Sequence, residues 1–129
     1  MSYPDFAPGK HILLDMYGAK QLSNLSFIEE SLKRAAKACS ANVLKIDLHS
    51  FGENAGVTGV ALLAESHISI HTWPELSYAA IDIFMCGRCD AELAIEPFKS
   101  DFSPQHIEVK TCLRGGGVGP QLQGLFKTA

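Results

Sequence analysis

The chain has 129 residues, of which 47% are hydrophobic and 19% charged, with a formal net charge of −3. This length and mix suit one domain, 1–129, that can bury a core without cross-links, and the acidic balance argues against a nucleic-acid binder, which needs a basic face. No apolar run approaches the ~18 residues of a membrane span, and the N-terminus lacks the basic and apolar regions of a signal peptide, so no membrane partner and a cytoplasmic location are expected.

In chain order, residues 1–9 are punctuated by proline and glycine and read as a loose arm. Residues 10–17 are mostly apolar and predict a first strand. After a connection in which Ser23 or Asn24 can cap, Leu25, Ile28, Leu32, Ala35, Ala36 and Cys39 recur at three- and four-residue steps, predicting a helix over 25–39. Residues 43–49 alternate as a half-buried strand, and a loop runs over 51–56. Residues 57–64 and 67–72 read as two strands, with Glu65-Ser66 at the tip between them. Trp73-Pro74-Glu75 must turn, since proline cannot continue a central strand.

A further strand over 78–86 puts Ile81, Ile83 and Met85 on one face and Ala80, Asp82, Phe84 and Cys86 on the other. Asp90 can cap a short helix to about residue 101, kinked or cut short by Pro97. Residues 106–113 alternate as a last strand, and the chain from Arg114 on reads as a tail. The expected fold is α+β: a two-layer α/β sandwich, mainly antiparallel sheet, with two helices packed on one face. Its second face must be polar or meet another subunit.

The stretch 65–87 concentrates reactive groups: Glu65, Ser66, His67, His71, Glu75 and Cys86, with the chain's only tryptophan. Taken singly, each has an ordinary structural explanation: a turn serine, strand histidines, a small buried thiol. A Ser–His–acid hydrolase would need a glycine-flanked nucleophile elbow, which Glu-Ser-His does not offer. Cys86-Gly87-Arg88-Cys89 is a C-x-x-C without the second pair of a zinc ribbon, and a redox role for it stays open.

Glu65-Ser66-His67, His71-Thr72-Trp73-Pro74-Glu75 and Tyr78-Ala79-Ala80-Ile81-Asp82 through Cys86-Gly87 together resemble the prokaryotic, pyruvoyl-dependent type of S-adenosylmethionine decarboxylase proenzyme. Weaker similarity runs from Gly9-Lys10-His11 through His49, Phe51 and Gly56-Val57-Thr58-Gly59 to about Gly115. The resemblance implies a self-processing chain. Ser66 would attack the Glu65 carbonyl, and elimination would leave a covalent pyruvoyl group at Ser66, separating 1–65 (beta chain) from 66–129 (alpha chain). It implies that the pyruvoyl group forms a Schiff base with S-adenosylmethionine and that no metal is used. His71 would be the proton acceptor in processing and Cys86 the proton donor in catalysis. Thr58, where the family often has serine, would support processing; Phe51 and Glu75 would bind substrate.

The product would be carbon dioxide and the aminopropyl donor for spermidine. Alternatives are the same chemistry on ornithine or arginine, or an unprocessed regulatory homologue. In a regular strand Ser66 and His71 face opposite ways. A bend at Ser66 could bring them together; the family resemblance instead implies a homodimer, or dimer of processed heterodimers, with sites shared across its interface. Ser66 and Cys86 would come from one subunit, and Phe51, Thr58, His71 and Glu75 from its partner.

Overall fold

A computed structural model of the chain describes residues 9–117. The elements are β1 (Gly9–Tyr17), α1 (Leu25–Ala38), β2 (Val43–Ser50), β3 (Val57–Leu63), β4 (Ser66–Trp73), β5 (Tyr78–Met85), α2 (Ile95–Phe102) and β6 (His106–Arg114). The six strands form one antiparallel sheet in the order β2-β3-β4-β5-β1-β6. The α+β two-layer arrangement expected from the sequence is the one observed. Strands β2 to β5 run as a meander, while β1 lies between β5 and β6.

The period of two in the strands decides which face is dry. Ile12, Leu14 and Met16 of β1, Ile68 and Ile70 of β4, and Ala79, Ile81, Ile83 and Met85 of β5 are buried on one side. Against them pack Ile28, Leu32, Ala35 and Ala36 of α1 and Phe98 and Phe102 of α2. Each fully buried Ile, Leu or Phe contributes ~1.5–3 kcal/mol by leaving water. Helix α1 starts where Asn24 Oδ1 accepts the Phe27 backbone N–H at 3.1 Å. The two helices are clamped by Asp101, which accepts from the buried Ser31 hydroxyl at 2.7 Å and from Arg34 Nε at 3.1 Å.

Two boundaries differ from the sequence reading. The helix expected after Asp90 is divided into a 3-10 turn, Ala91–Ala94, and α2. Pro97 thereby falls in the first turn of α2, where its missing N–H leaves no intrahelical bond unmade. At the β3–β4 tip the turn is Ala64-Glu65, and Ser66 is already the first residue of β4, paired with Leu63. The arm over 1–8 and the end of the tail over 118–129 lie outside the described residues.

The other sheet face carries no helix. Register aligns its side chains in rows: His49, Thr58, His71, Ala80, Asp15 and Glu108 cross the sheet from β2 to β6. The next row holds Asp47, Val60, Ser69, Asp82, Leu13 and Lys110. Aromatic and ionisable groups are thus set on a rigid floor, as a binding face requires.

Candidate active site

The first group of site residues gathers at the β3–β4 tip. Glu65 has φ +63°, in the left-handed region. A non-glycine residue held there costs on the order of 1–3 kcal/mol, so strain is stored in the backbone of Glu65, next to the peptide joining it to Ser66. Parity turns Ser66 toward the core, and its hydroxyl oxygen is buried without a hydrogen-bond partner. It is the one such side-chain oxygen or nitrogen among the described residues. On the neighbouring strand, His67 pairs with Phe84, and two further steps along that register bring Glu65 beside Cys86. The Cys86 thiol donates to the Glu65 carbonyl oxygen at 2.9 Å. An orphan hydroxyl, a residue in the left-handed region and a donor on its carbonyl therefore meet at one point.

The two thiols of the C-x-x-C have different acceptors. Cys89 Sγ donates to the Ser40 carbonyl at 3.5 Å while Cys86 serves Glu65, and both thiols are free. Gly87 turns the chain between them at φ +69°. Nearby Cys39 is buried, and burial pushes its thiol up to about 11. No group of three or more His, Cys, Asp or Glu among the described residues is arranged to hold a metal ion.

The second group lies at the opposite end of β4. Thr58 Oγ1 and His71 Nδ1, paired across β3 and β4, are hydrogen bonded at 3.2 Å. Phe51, Thr58, His71, Trp73 and Glu75 line a hollow of about 440 Å³. Gly56 makes this corner possible: a Cβ there would stand 2.3 Å from the Thr72 carbonyl oxygen. Pro74 then ends β4 and starts the 3-10 turn, Pro74–Leu76, that carries Glu75. The ring of His49 meets Phe51 edge-on, with centroids 4.7 Å apart. A second hollow of about 490 Å³, lined by Asp47, His49 and Ser69, adjoins the first through Thr58 and His71.

Aromatic rings continue across the sheet from this corner. Trp73 stacks on Tyr78 at 5.2 Å, and Tyr78 stacks on Tyr17 at 5.3 Å. The Tyr78 hydroxyl donates to Asp15 Oδ1 at 2.6 Å, which pushes this phenol up to about 12 because ionisation would lose the bond and set two negative charges together.

Within one chain the two groups do not meet. Ser66 and His71 are five residues apart on one strand, ~17 Å at 3.3 Å per residue, and on opposite faces. Sequence reasoning singled out Glu65, Ser66 and Cys86, which do come together, and Phe51, Thr58, His71 and Glu75, which also do. It passed over Trp73, His49 and Tyr78 as site residues. Trp73 shares the parity of His71, and that signal was available in the sequence.

A model of the S-adenosylmethionine decarboxylase family matches residues 10–115. A curated relative from Thermomicrobium roseum, named S-adenosylmethionine decarboxylase proenzyme, is 39% identical over 108 residues, covering 83% of this chain and 93% of the relative. One of the same name from Methanococcus vannielii is 46% identical over 110 residues, covering 83% and 89%. The crystal structure of the adenosylmethionine decarboxylase from Aquifex aeolicus superposes with a TM-score of 0.76 at 35% identity, covering 84% of this chain and 92% of that one.

Proposed function

The chain belongs to the S-adenosylmethionine decarboxylase family, and from that membership we propose that this decarboxylase proenzyme cuts itself between Glu65 and Ser66 to make a pyruvoyl group. The observation that carries the proposal is the Cys86 thiol on the Glu65 carbonyl, beside the partnerless Ser66 hydroxyl. The residues fit the group: a serine at this tip can become its carbonyl carbons without displacing any hydrogen bond, since Oγ makes none.

Processing follows from these contacts. The Ser66 oxygen attacks the Glu65 carbonyl carbon, and the Cys86 thiol steadies the negative charge on the Glu65 oxygen. The C–N bond then breaks, leaving Glu65 esterified to the Ser66 oxygen and a free amine on residue 66. A base removes the Ser66 α-proton, the Glu65 carboxylate leaves, and the resulting dehydroalanine takes up water and releases ammonia. His71 is the base. Thr58 Oγ1, hydrogen bonded to Nδ1, fixes the orientation of the His71 ring; in the tautomer that carries its proton on Nδ1, Nε2 is the nitrogen that accepts.

Because His71 lies ~17 Å along the strand from its own Ser66, it serves the Ser66 of a second copy. The helix-free face is where two copies meet, with Leu13, Tyr17, Leu62 and Trp73 exposed upon it. Each site then joins Ser66 and Cys86 of one chain to Phe51, Thr58, His71 and Glu75 of the other.

When formed, the pyruvoyl carbonyl supplies the electron sink that lets an α-amino acid lose carbon dioxide. The chain's residues place the substrate. Phe51 and Trp73 offer aromatic faces to the adenine and to the sulfonium, and the exposed Glu75 carboxylate accepts from the ribose hydroxyls. Cys86 gives the proton to the α-carbon after carbon dioxide leaves. Such a hollow favours a nucleoside over ornithine or arginine. The product is the aminopropyl donor used to make spermidine.

Intact-mass spectrometry tests the cut. Two fragments divided before Ser66, the second shortened by loss of its amine, support it; a single 14.0 kDa species refutes it. Carbon dioxide release from labelled S-adenosylmethionine, set against ornithine and arginine, tests the substrate. Co-folded Ser66→Ala and His71→Ala chains recover activity only if sites are shared.

A further inference from the structure

The aromatic stack is anchored at its middle. Rings of His106, Tyr17, Tyr78 and Trp73 follow one another across β6, β1, β5 and β4, with interplanar angles of 23–24° at each step. The register explains the order, since Tyr17 pairs with both His106 and Tyr78, and Tyr78 pairs with Trp73. Three of these rings sit on the helix-free face away from the hollow; only Trp73 lines it. Tyr78 is the ring directly behind Trp73. Its hydroxyl is tied to Asp15, one row further along β1, by the shortest side-chain bond on this face. A phenol donating to a carboxylate at 2.6 Å is a strong, directional restraint.

We infer that Tyr78, held by Asp15, is a positioning residue that fixes the tilt of Trp73 and so sets one wall of the substrate hollow. This rests on the reading of that hollow as the nucleoside site. Trp73 is partly exposed at the end of its strand, next to a turn, so its indole has room to change rotamer. A flat ring behind it removes that freedom before substrate arrives, and an aromatic wall fixed in advance loses less entropy on binding. Neither Tyr78 nor Asp15 hydrogen-bonds to or stacks on Ser66, Cys86, Thr58 or His71, so the effect falls on substrate binding and leaves processing alone.

Trp73 is the only tryptophan, so intrinsic fluorescence reports on this wall alone. The experiment uses the full chain as wild type, Tyr78→Leu and Tyr78→Phe. It measures the processed fraction by intact mass, KM and kcat for S-adenosylmethionine, and tryptophan emission with and without substrate. Tyr78→Leu removes the stack: KM rises about three- to tenfold, the worth of an aromatic pair, with kcat within about twofold and processing complete. Its emission moves to longer wavelength and substrate quenches it less. Tyr78→Phe keeps the stack and loses the Asp15 bond, and recovers most of the lost affinity.

A KM for Tyr78→Leu equal to wild type with unchanged emission overturns the inference. So does a joint fall in processing, kcat and affinity, the mark of a fold defect. Should Tyr78→Leu fail to fold, Tyr78→Phe decides: a KM raised about twofold with weaker quenching supports the restraint, and wild-type behaviour in both overturns it. If the wild type itself neither releases carbon dioxide nor shows quenching, the nucleoside reading falls and takes this inference with it. If it does both while the variants match it, the bracing alone is wrong.

Discussion

Removing the Ser66 hydroxyl should make the uncut protein more stable. Ser66 is buried at the head of β4 and its oxygen has no partner, so the folded chain carries a desolvated hydroxyl with nothing returned. Leaving such a group unmatched costs ~1–3 kcal/mol, and alanine keeps the Cβ while deleting only the oxygen, so no sizeable cavity is left. The comparison must be made between chains that are both uncut, which His71→Ala supplies. His71→Ala/Ser66→Ala should melt above His71→Ala by about 3–8 °C at equal protein concentration, followed by calorimetry with both species confirmed at 14.0 kDa by mass. An equal or lower midpoint refutes the reasoning. The hydroxyl would then be satisfied in the folded protein, and the claim that it stands free to attack Glu65 would lose its basis.

Glu65→Gly relieves the φ of +63° and should stabilise the uncut chain by up to ~1 kcal/mol while slowing its cleavage; faster cleavage, timed by denaturing gels after refolding, contradicts strain at the tip. Gly56→Ala drives a Cβ to 2.3 Å from the Thr72 carbonyl and should lower stability by ~1–3 kcal/mol in urea unfolding, because β3 and β4 must separate where the hollow is built. Tyr78 should be the last phenol to ionise, near pH 12, when tyrosinate absorbance is followed with pH. Asp15→Asn should bring it back toward 10. The folded value lies above the unfolded 10.0, so the Tyr78–Asp15 bond stabilises fully below pH 10 and its contribution is lost as pH rises from 10 to 12.

Much of this was legible because strand parity is a local property. Alternation in 67–72 and 78–86 assigned Ile68, Ile70, Ile81 and Ile83 to the core and His67, His71, Asp82 and Phe84 to the other face, as observed. The Asn24 cap and the apolar stripe of α1 were equally local. The opposition of Ser66 and His71 also followed from parity, whereas the division of the site residues into two groups came from the family resemblance. The turn position was less legible. Glu-Ser looks like a tip, but register with Leu63 places Ser66 inside β4, and only pairing across the turn reveals that. The insertion of β1 between β5 and β6 was out of reach for the same reason, since it depends on partners about sixty to a hundred positions away. Tyr78 was overlooked because its partners, Asp15, Tyr17 and Trp73, come from two other strands.

A cut after Glu65 assigns β1, β2 and β3 to one piece and β4, β5 and β6 to the other, and the order β2-β3-β4-β5-β1-β6 then interlaces them. The two pieces cannot part by peeling along one seam. The β3/β4, β5/β1 and β1/β6 ladders must all open, and β1 must withdraw from between two strands of the other piece. If the chain is cut there, its halves would be locked together kinetically, although no covalent bond would span them. Once melted, each half would have to find the other from dilute solution, so refolding would become second order where the precursor's was first. Such a cut would turn a concentration-independent folder into a concentration-dependent one, which an unfolding–refolding cycle at two protein concentrations would reveal.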